Sequence, residues 1–235
     1  VLGCRNDLKT FAETCHRHGV ILVGDGAQSV PHIAVDVQDL GVDFLSFSGH
    51  KMLAPMGIGA LYGKKELLEK LPPFLTGGEM IESVTRTGAV YAELPHKFEA
   101  GTVNAAGAAG LAAAIRYVQS VGFDTIQQRE HDLTANALAR VLAVPHVHVL
   151  GTDRPEDHNG IITFTVDGVH PHDISEIMAS DGVNIRAGHH CAQPLLQYLG
   201  TASTTRVSLA FYNTEEEIRA FIESLGGLRR KMGYE

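Results

Sequence analysis

Cysteine is scarce in this chain of 235 residues: Cys4, Cys15 and Cys191 are too few and too unevenly spaced for a disulfide framework. Free thiols in a reducing compartment are therefore expected, and at most one needs a special role. No apolar run approaches the roughly 20 residues that span a bilayer, and Val1-Leu2-Gly3-Cys4-Arg5 has no signal-peptide pattern. A soluble, cytoplasmic protein with no membrane partner is the expectation. Positive charge is also short, 19 Lys and Arg against 27 Asp and Glu, and it is scattered rather than gathered into a stripe, which argues against nucleic acid. Internal repeats and low-complexity tracts are missing too. The chain opens without methionine and runs at once into element-like sequence, so residue 1 is not expected to be a natural start.

What is present is enough sequence for one large or two modest domains, patterned as α/β. Asp7 to His18 reads as a helix, and Val20-Ile21-Leu22-Val23 as a strand buried on both faces of a parallel sheet, ended by Gly24-Asp25-Gly26. Further strands are expected over 43–47 and 59–63, then a short helix from Lys64 to Leu71 stopped by Pro72-Pro73. Residues 76–103 read as an irregular excursion holding at most a hairpin. Small apolar positions at helical spacing follow from Asn104 to Gly122, and a second helix covers 123–144. Past Pro145 the pattern becomes short strands (147–150, 160–166, 183–186, 205–210) among helices at 172–181 and after Thr214, where Thr214 and Glu217 form a capping box. A domain boundary falls near 121–123, giving domains of 1–121 and 122–235.

Several residues could carry chemistry. Asp25 stands where a strand of an α/β sheet runs out, the usual place for ligands, although a turn or cap aspartate has the same pattern. Gln28 could reach the same ligand. Lys51 follows a Ser48-Gly49-His50 turn. Its amine becomes a nucleophile toward a carbonyl if burial or nearby positive charge favours the neutral form, and otherwise it is a surface charge. Ser48 and His50 could bind an anion such as phosphate. An acid, a lysine and phosphate donors are together what pyridoxal phosphate requires. In Arg186-Ala187-Gly188-His189-His190-Cys191, a thiol beside histidines is a candidate reactive thiolate; an inert buried cysteine is the alternative, and a metal site is disfavoured because adjacent side chains rarely converge on one ion. Arg206 offers a fork that fits a carboxylate, whether of a substrate or of an ordinary ion-pair partner.

The stretches VGDGAQSVPH, FLSFSGHKMLAPMGIGALY, HKFEAGTVN, IRAGHHCAQPL and TRVSLAFYNTEEEI occur in an order that resembles the cysteine desulfurases of the class-V aminotransferase family, the type that serves iron–sulfur cluster assembly and is similar to selenocysteine lyases. The resemblance implies a pyridoxal-phosphate enzyme of fold type I: part of a large domain with a mostly parallel sheet, plus a smaller carboxyl-terminal α+β domain. It implies that Lys51 binds the cofactor as a Schiff base and shuttles the substrate proton, that Asp25 pairs with the pyridinium nitrogen, and that Gln28 meets the phenolic oxygen. Ser48 and His50 hold the phosphate, and Thr102 reaches the phosphate of a neighbouring subunit, which implies a homodimer. Arg206 grips the carboxylate of L-cysteine. Cys191 takes the sulfur as a persulfide, leaving alanine, and passes it to an acceptor protein of iron–sulfur assembly. Ala187 departs from the small hydroxyl residue common in related enzymes. The family's amino-terminal region, with a phosphate loop and a histidine that stacks on the cofactor, has no counterpart here, so a fragment is expected. Selenocysteine lyase activity, another class-V reaction and a truncated non-catalytic domain are the competing readings.

Overall fold

The computed structural model describes residues 1–234, which cluster into two compact units. One runs from Asp7 to Phe123; the other joins Val1–Asn6 to the chain from Asp124 onward. Among the described residues no helix is long and apolar enough to cross a membrane.

The unit from Asp7 begins with α1 (Leu8–Arg17), whose first turn is capped by Asp7 accepting from the Thr10 N–H at 3.1 Å, while His16 and Arg17 face the negative end of the helix dipole. Then come β1 (Val23–Asp25), α2 (Val37–Leu40), β2 (Phe44–Ser48), a 3-10 turn at Gly49–Met52, β3 (Gly59–Gly63) and α3 (Lys65–Leu68). The excursion that follows holds one hairpin, β4 (Ile81–Val84) and β5 (Ala89–Tyr91), before the long α4 (Ala105–Val121). β1 and β2 are parallel, with Asp25 opposite Ser46, whereas β3 runs antiparallel to β2 with Gly59 opposite Ser48.

The expectation of a doubly buried strand over 20–23 is corrected. Val20, Ile21 and Val23 are 52%, 54% and 64% exposed, and among the described residues pairing starts only at Val23, with β1 bonded to β2. An unbroken apolar run reports what a strand tolerates, not which neighbours cover it. Gly110 in α4 has a packing reason: a Cβ there would lie 2.5 Å from Pro55 Cγ, so glycine lets the helix approach the loop after Lys51.

The other unit contains α5 (Phe123–Leu142), β6 (Val147–Leu150), β7 (Ile161–Val166), α6 (Pro171–Ser180), β8 (Arg186–Gly188), α7 (Gln193–Tyr198), β9 (Thr204–Ser208) and α8 (Glu215–Lys231). Its sheet has the order β6-β7-β9-β8 with every pair antiparallel. Side chains alternate across it. Ile162, Phe164, Val166 and Val207 join Leu138, Ile174, Met178, Phe221 and Leu225 in the core, with the Phe164 and Phe221 rings 6.1 Å apart. Residues 163, 186 and 206 are in register across β7, β9 and β8, which places Thr163, Arg206 and Arg186 on the opposite face. Val1–Asn6 lies there: Thr163 donates to the Val1 carbonyl at 2.5 Å, and Asn159 donates twice to the Gly3 carbonyl at 3.0 Å. Phe164→Ala would leave an unfilled cavity in the core; the expected loss is about 3–5 kcal/mol of unfolding stability, read as a lower urea midpoint at unchanged slope.

Candidate active site

In the unit from Asp7, the candidate groups gather beyond the carboxyl ends of β1 and β2. Glycines let the two strands approach there: a Cβ at Gly24 would meet Leu45 Cδ1 at 2.9 Å, and one at Gly26 would meet the Ser46 carbonyl at 3.1 Å. The Gly26 N–H donates to that carbonyl at 2.8 Å. Asp25 leaves the strand end exposed; its Oδ1 accepts from the Ala27 N–H at 2.9 Å, so it does act as a turn aspartate, while Oδ2 has no hydrogen bond among the described residues. One strand over, β2 runs straight into the 3-10 turn that carries His50 and Lys51. Gly49 is buried, donates to the Ile58 carbonyl at 2.8 Å, and has no room for a Cβ, which would lie 2.9 Å from Ile58 Cγ2. That tether fixes the turn, and Met52 is buried beneath it.

The Lys51 amine is exposed, with no hydrogen bond or ion pair among the described residues. Ser48 Oγ and His50 Nδ1 lie 2.7 Å apart, a hydroxyl and an imidazole turned to one spot. The set fits pyridoxal phosphate in its donor chemistry: an unengaged amine, a carboxylate oxygen with a vacant lone pair, and a hydroxyl–imidazole pair. Gln28 is exposed in the turn after β1. Thr102 stands apart, exposed in the loop before α4, with no hydrogen bond to the strand-end groups. Its neighbour Asn104 caps α4 at the Gly107 N–H (2.9 Å) and donates to the Gly57 carbonyl at 3.2 Å, which ties that loop to the one after Lys51.

In the other unit, Cys191 projects from a tight turn between β8 and α7. The Ala192 N–H donates to the His189 carbonyl at 2.9 Å, and the two central residues, His190 and Cys191, have φ of 54° and 60°. Positive φ at both central positions is the type I′ pattern, normally filled by Asn or Gly. Two side-chain-bearing residues there store strain of order 1–2 kcal/mol each. The thiol is exposed, and Arg186 Nη2 donates to Sγ at 3.2 Å. Arg206, next to Arg186 in register, is half-buried, and its Nε is buried without a partner among the described residues. Burial, then the Arg186 charge, pulls its pKa below the usual arginine value, opposed by Cys191, yet a guanidinium stays charged at any ordinary pH. A charged fork with an orphaned buried N–H is a site made for an anion.

Asp25, Ser48, His50 and Lys51 thus stand on neighbouring strand ends, and Cys191 stands in the turn that follows β8, the strand paired with the β9 that carries Arg206. Sequence reasoning missed Arg186. The arginine was visible five residues before the cysteine, but only the return of the turn brings its guanidinium onto the sulfur. Among the described residues no cluster of three or more His, Cys, Asp or Glu could hold a metal ion.

Comparison with known proteins gives the same pattern of relatives throughout. Residues 1–221 match the model for the aminotransferase class-V family. A probable cysteine desulfurase of Halalkalibacterium halodurans is 47% identical over the whole chain, and one of Staphylococcus epidermidis 48%; the chain spans 57% of the length of each. Among solved structures, a cysteine desulfurase from Thermococcus onnurineus superposes with a TM-score of 0.94 at 38% identity over 98% of this chain and 58% of its own. An Escherichia coli cysteine desulfurase in an S-sulfonic acid form gives 0.92 at 37%, covering 98% of this chain and 57% of its own. A cystine C–S lyase in complex with cysteine persulfide gives 0.79 at 27%, over 93% and 56%. With a family match over nearly the whole length and the fold of its solved members, this chain belongs to the aminotransferase class-V family.

Proposed function

We propose that the protein to which this chain contributes is a cysteine desulfurase dependent on pyridoxal phosphate, converting L-cysteine to L-alanine and leaving a persulfide on Cys191. The observation that carries this reading is the exposed Cys191 thiol, held 3.2 Å from Arg186, on a strand in register with a half-buried arginine that has an unsatisfied N–H. One edge of one sheet therefore offers a carboxylate anchor and a sulfur acceptor.

Bound at the ends of β1 and β2, pyridoxal phosphate supplies an electron sink for charge developing on the substrate. Lys51 holds the cofactor and moves a proton at the substrate α-carbon. Asp25, through its unengaged oxygen, keeps the ring nitrogen protonated; Gln28 meets the phenolic oxygen, and Ser48 and His50 bind the phosphate. Arg206 takes the substrate carboxylate in a bidentate grip. Cys191 attacks the substrate sulfur as a thiolate: a sulfur–sulfur bond forms, the carbon–sulfur bond breaks with its electron pair going to carbon, and that carbon takes a proton as alanine leaves. The persulfide passes to a thiol of an acceptor protein, in iron–sulfur assembly by the resemblance, in the cytoplasm. Thr102, by the resemblance, contributes to the phosphate site of a second subunit in a homodimer. The large pyridoxal-phosphate domain is read as residues 1–121 and the small domain as 122–235, although Val1–Asn6 clusters with the latter.

Incubation with pyridoxal phosphate, borohydride reduction and peptide mass mapping test the cofactor assignment. Stoichiometric label on Lys51 is the expected result, in this chain or in the full-length protein. Label spread over several lysines in the full-length protein would remove the basis of the reading.

A further inference from the structure

The buried side-chain nitrogen and oxygen atoms that lack a partner among the described residues are His190 Nδ1, Ser203 Oγ, Thr205 Oγ1 and Arg206 Nε, in the Cys191 turn, just before β9 and along it. Unsatisfied polar atoms are rare in folded interiors, and their concentration here marks a region arranged for something other than stability. Within it one hydrogen bond has an unusual position. His190 is 7% exposed although His189 and Cys191 on either side are exposed, and its Nε2 lies 2.9 Å from Oγ1 of the fully buried Thr204. Thr204 precedes Arg206 by two residues on β9, so the two share a face of the sheet. A single bond therefore joins the residue before the sulfur carrier to the strand that carries the carboxylate anchor.

The turn is strained: neither central residue is glycine and both have positive φ. Local hydrogen bonds, from the Ala192 N–H to the His189 carbonyl and from the Cys191 N–H to His189 Nδ1 at 3.2 Å, close it, and the His190–Thr204 bond is the side-chain contact that ties it to β9. Burial, then the charges of Arg206 and Arg186, push the His190 pKa down to about 4, so the imidazole is a neutral hydrogen-bonding group across the working pH range.

We propose that His190 is a positioning residue for sulfur transfer: its hydrogen bond to Thr204 fixes the Cys191 turn to β9 and so sets the distance from the thiol to the carboxylate held by Arg206. This rests on the desulfurase reading above. A misplacement of about 1 Å at a reacting atom can cost about a hundredfold in rate, so the bond matters far beyond its own strength.

The test uses the full-length holoenzyme with His190→Gln, whose amide nitrogen reaches the place of Nε2, and with His190→Asn, which reaches only that of Nδ1. His190→Ala and Thr204→Val complete the set. The expected result is kcat for L-cysteine down about 10- to 100-fold in Asn, Ala and Val, with KM within about twofold, while Gln stays within about threefold of the parent. In the cofactor-free proteins, the ratio of iodoacetamide labelling at Cys191 to that at exposed Cys4 should differ from the parent by about threefold or more in the same three variants and not in Gln, because the sulfur leaves its 3.2 Å contact with the Arg186 guanidinium. Parent-like kcat and labelling in Asn and Val would overturn the proposal, as would a Gln variant no better than Ala. If the parent forms no persulfide at Cys191, the desulfurase reading fails by itself, and the labelling ratios still decide whether His190 positions the thiol.

Discussion

Changing Cys191 to serine in the full-length protein is expected to lower sulfide release from L-cysteine by about a thousandfold or more, while pyridoxal-phosphate uptake stays at the parent level. Serine preserves the size of the residue and, at φ of 60°, adds no strain that cysteine lacks. It removes the sulfur that the proposed reaction uses as acceptor. Arg206 and the groups at the ends of β1 and β2 remain, so the affinity for cysteine should move by no more than a few-fold. The complementary substitution, Arg206→Lys, should raise KM instead, because a point charge cannot reproduce a bidentate fork whose Nε is already buried and waiting. Steady-state sulfide assays with and without added reductant, beside the cofactor absorbance, separate the two effects. A Cys191→Ser enzyme that keeps a tenth of the parent rate would remove the persulfide from the mechanism.

The second large effect concerns folding and centres on Asp43, which is far from any of the chemistry. Its side chain is 7% exposed, and it accepts from Lys64 Nζ at 2.7 Å, from the Leu22 N–H at 2.8 Å, and pairs with His16 Nε2 at 3.0 Å. One carboxylate thus joins α1, the segment entering β1 and the residue after β3. Burial works to raise its pKa, but the Lys64, Leu22 and His16 hydrogen bonds together overcome it and hold the group down at about 2. Asp43→Ala leaves a lysine and a backbone N–H without their acceptor; the expected loss is about 2–4 kcal/mol. The pH dependence has a definite sign. The folded pKa is depressed below the ordinary 3.8, so the stabilisation is complete above that value and disappears as pH falls toward 2. It amounts to about 2 kcal/mol across that window. Urea unfolding at a series of pH values should show this component in the parent and not in Asp43→Asn. An unchanged acid limb in Asp43→Asn would place the acid sensitivity elsewhere.

Much of the arrangement was legible in the sequence because it depends on neighbours along the chain. The capping box at Thr214 and Glu217 starts α8 where expected, with both of its reciprocal hydrogen bonds formed. The strand expected over 160–166 forms as Ile161–Val166, with Ile162, Phe164 and Val166 in the core. Asp25, Ser48, His50 and Lys51 were recognisable because each lies within a few residues of a strand end, where the apolar pattern breaks. Short-range physics, meaning turn chemistry, capping and side-chain period, leaves marks at fixed spacings.

What tertiary structure decided are contacts between segments that no spacing links. Nothing in Gly59 to Gly63 says that it pairs antiparallel to β2, and nothing in Val20 to Val23 says that pairing with β2 begins only at Val23. Asp43 reads as an ordinary strand-start aspartate until His16 and Lys64 arrive from either side. Arg186 meets Cys191 only because a strained turn folds the sulfur back, and His190 meets Thr204 only through the pairing of β8 with β9. The sequence by itself determined which residues are candidates for chemistry and roughly where most strands lie. The register of distant strands decided which of those groups touch, because a hydrogen bond forms at about 3 Å and a sequence pattern has no means of stating that distance.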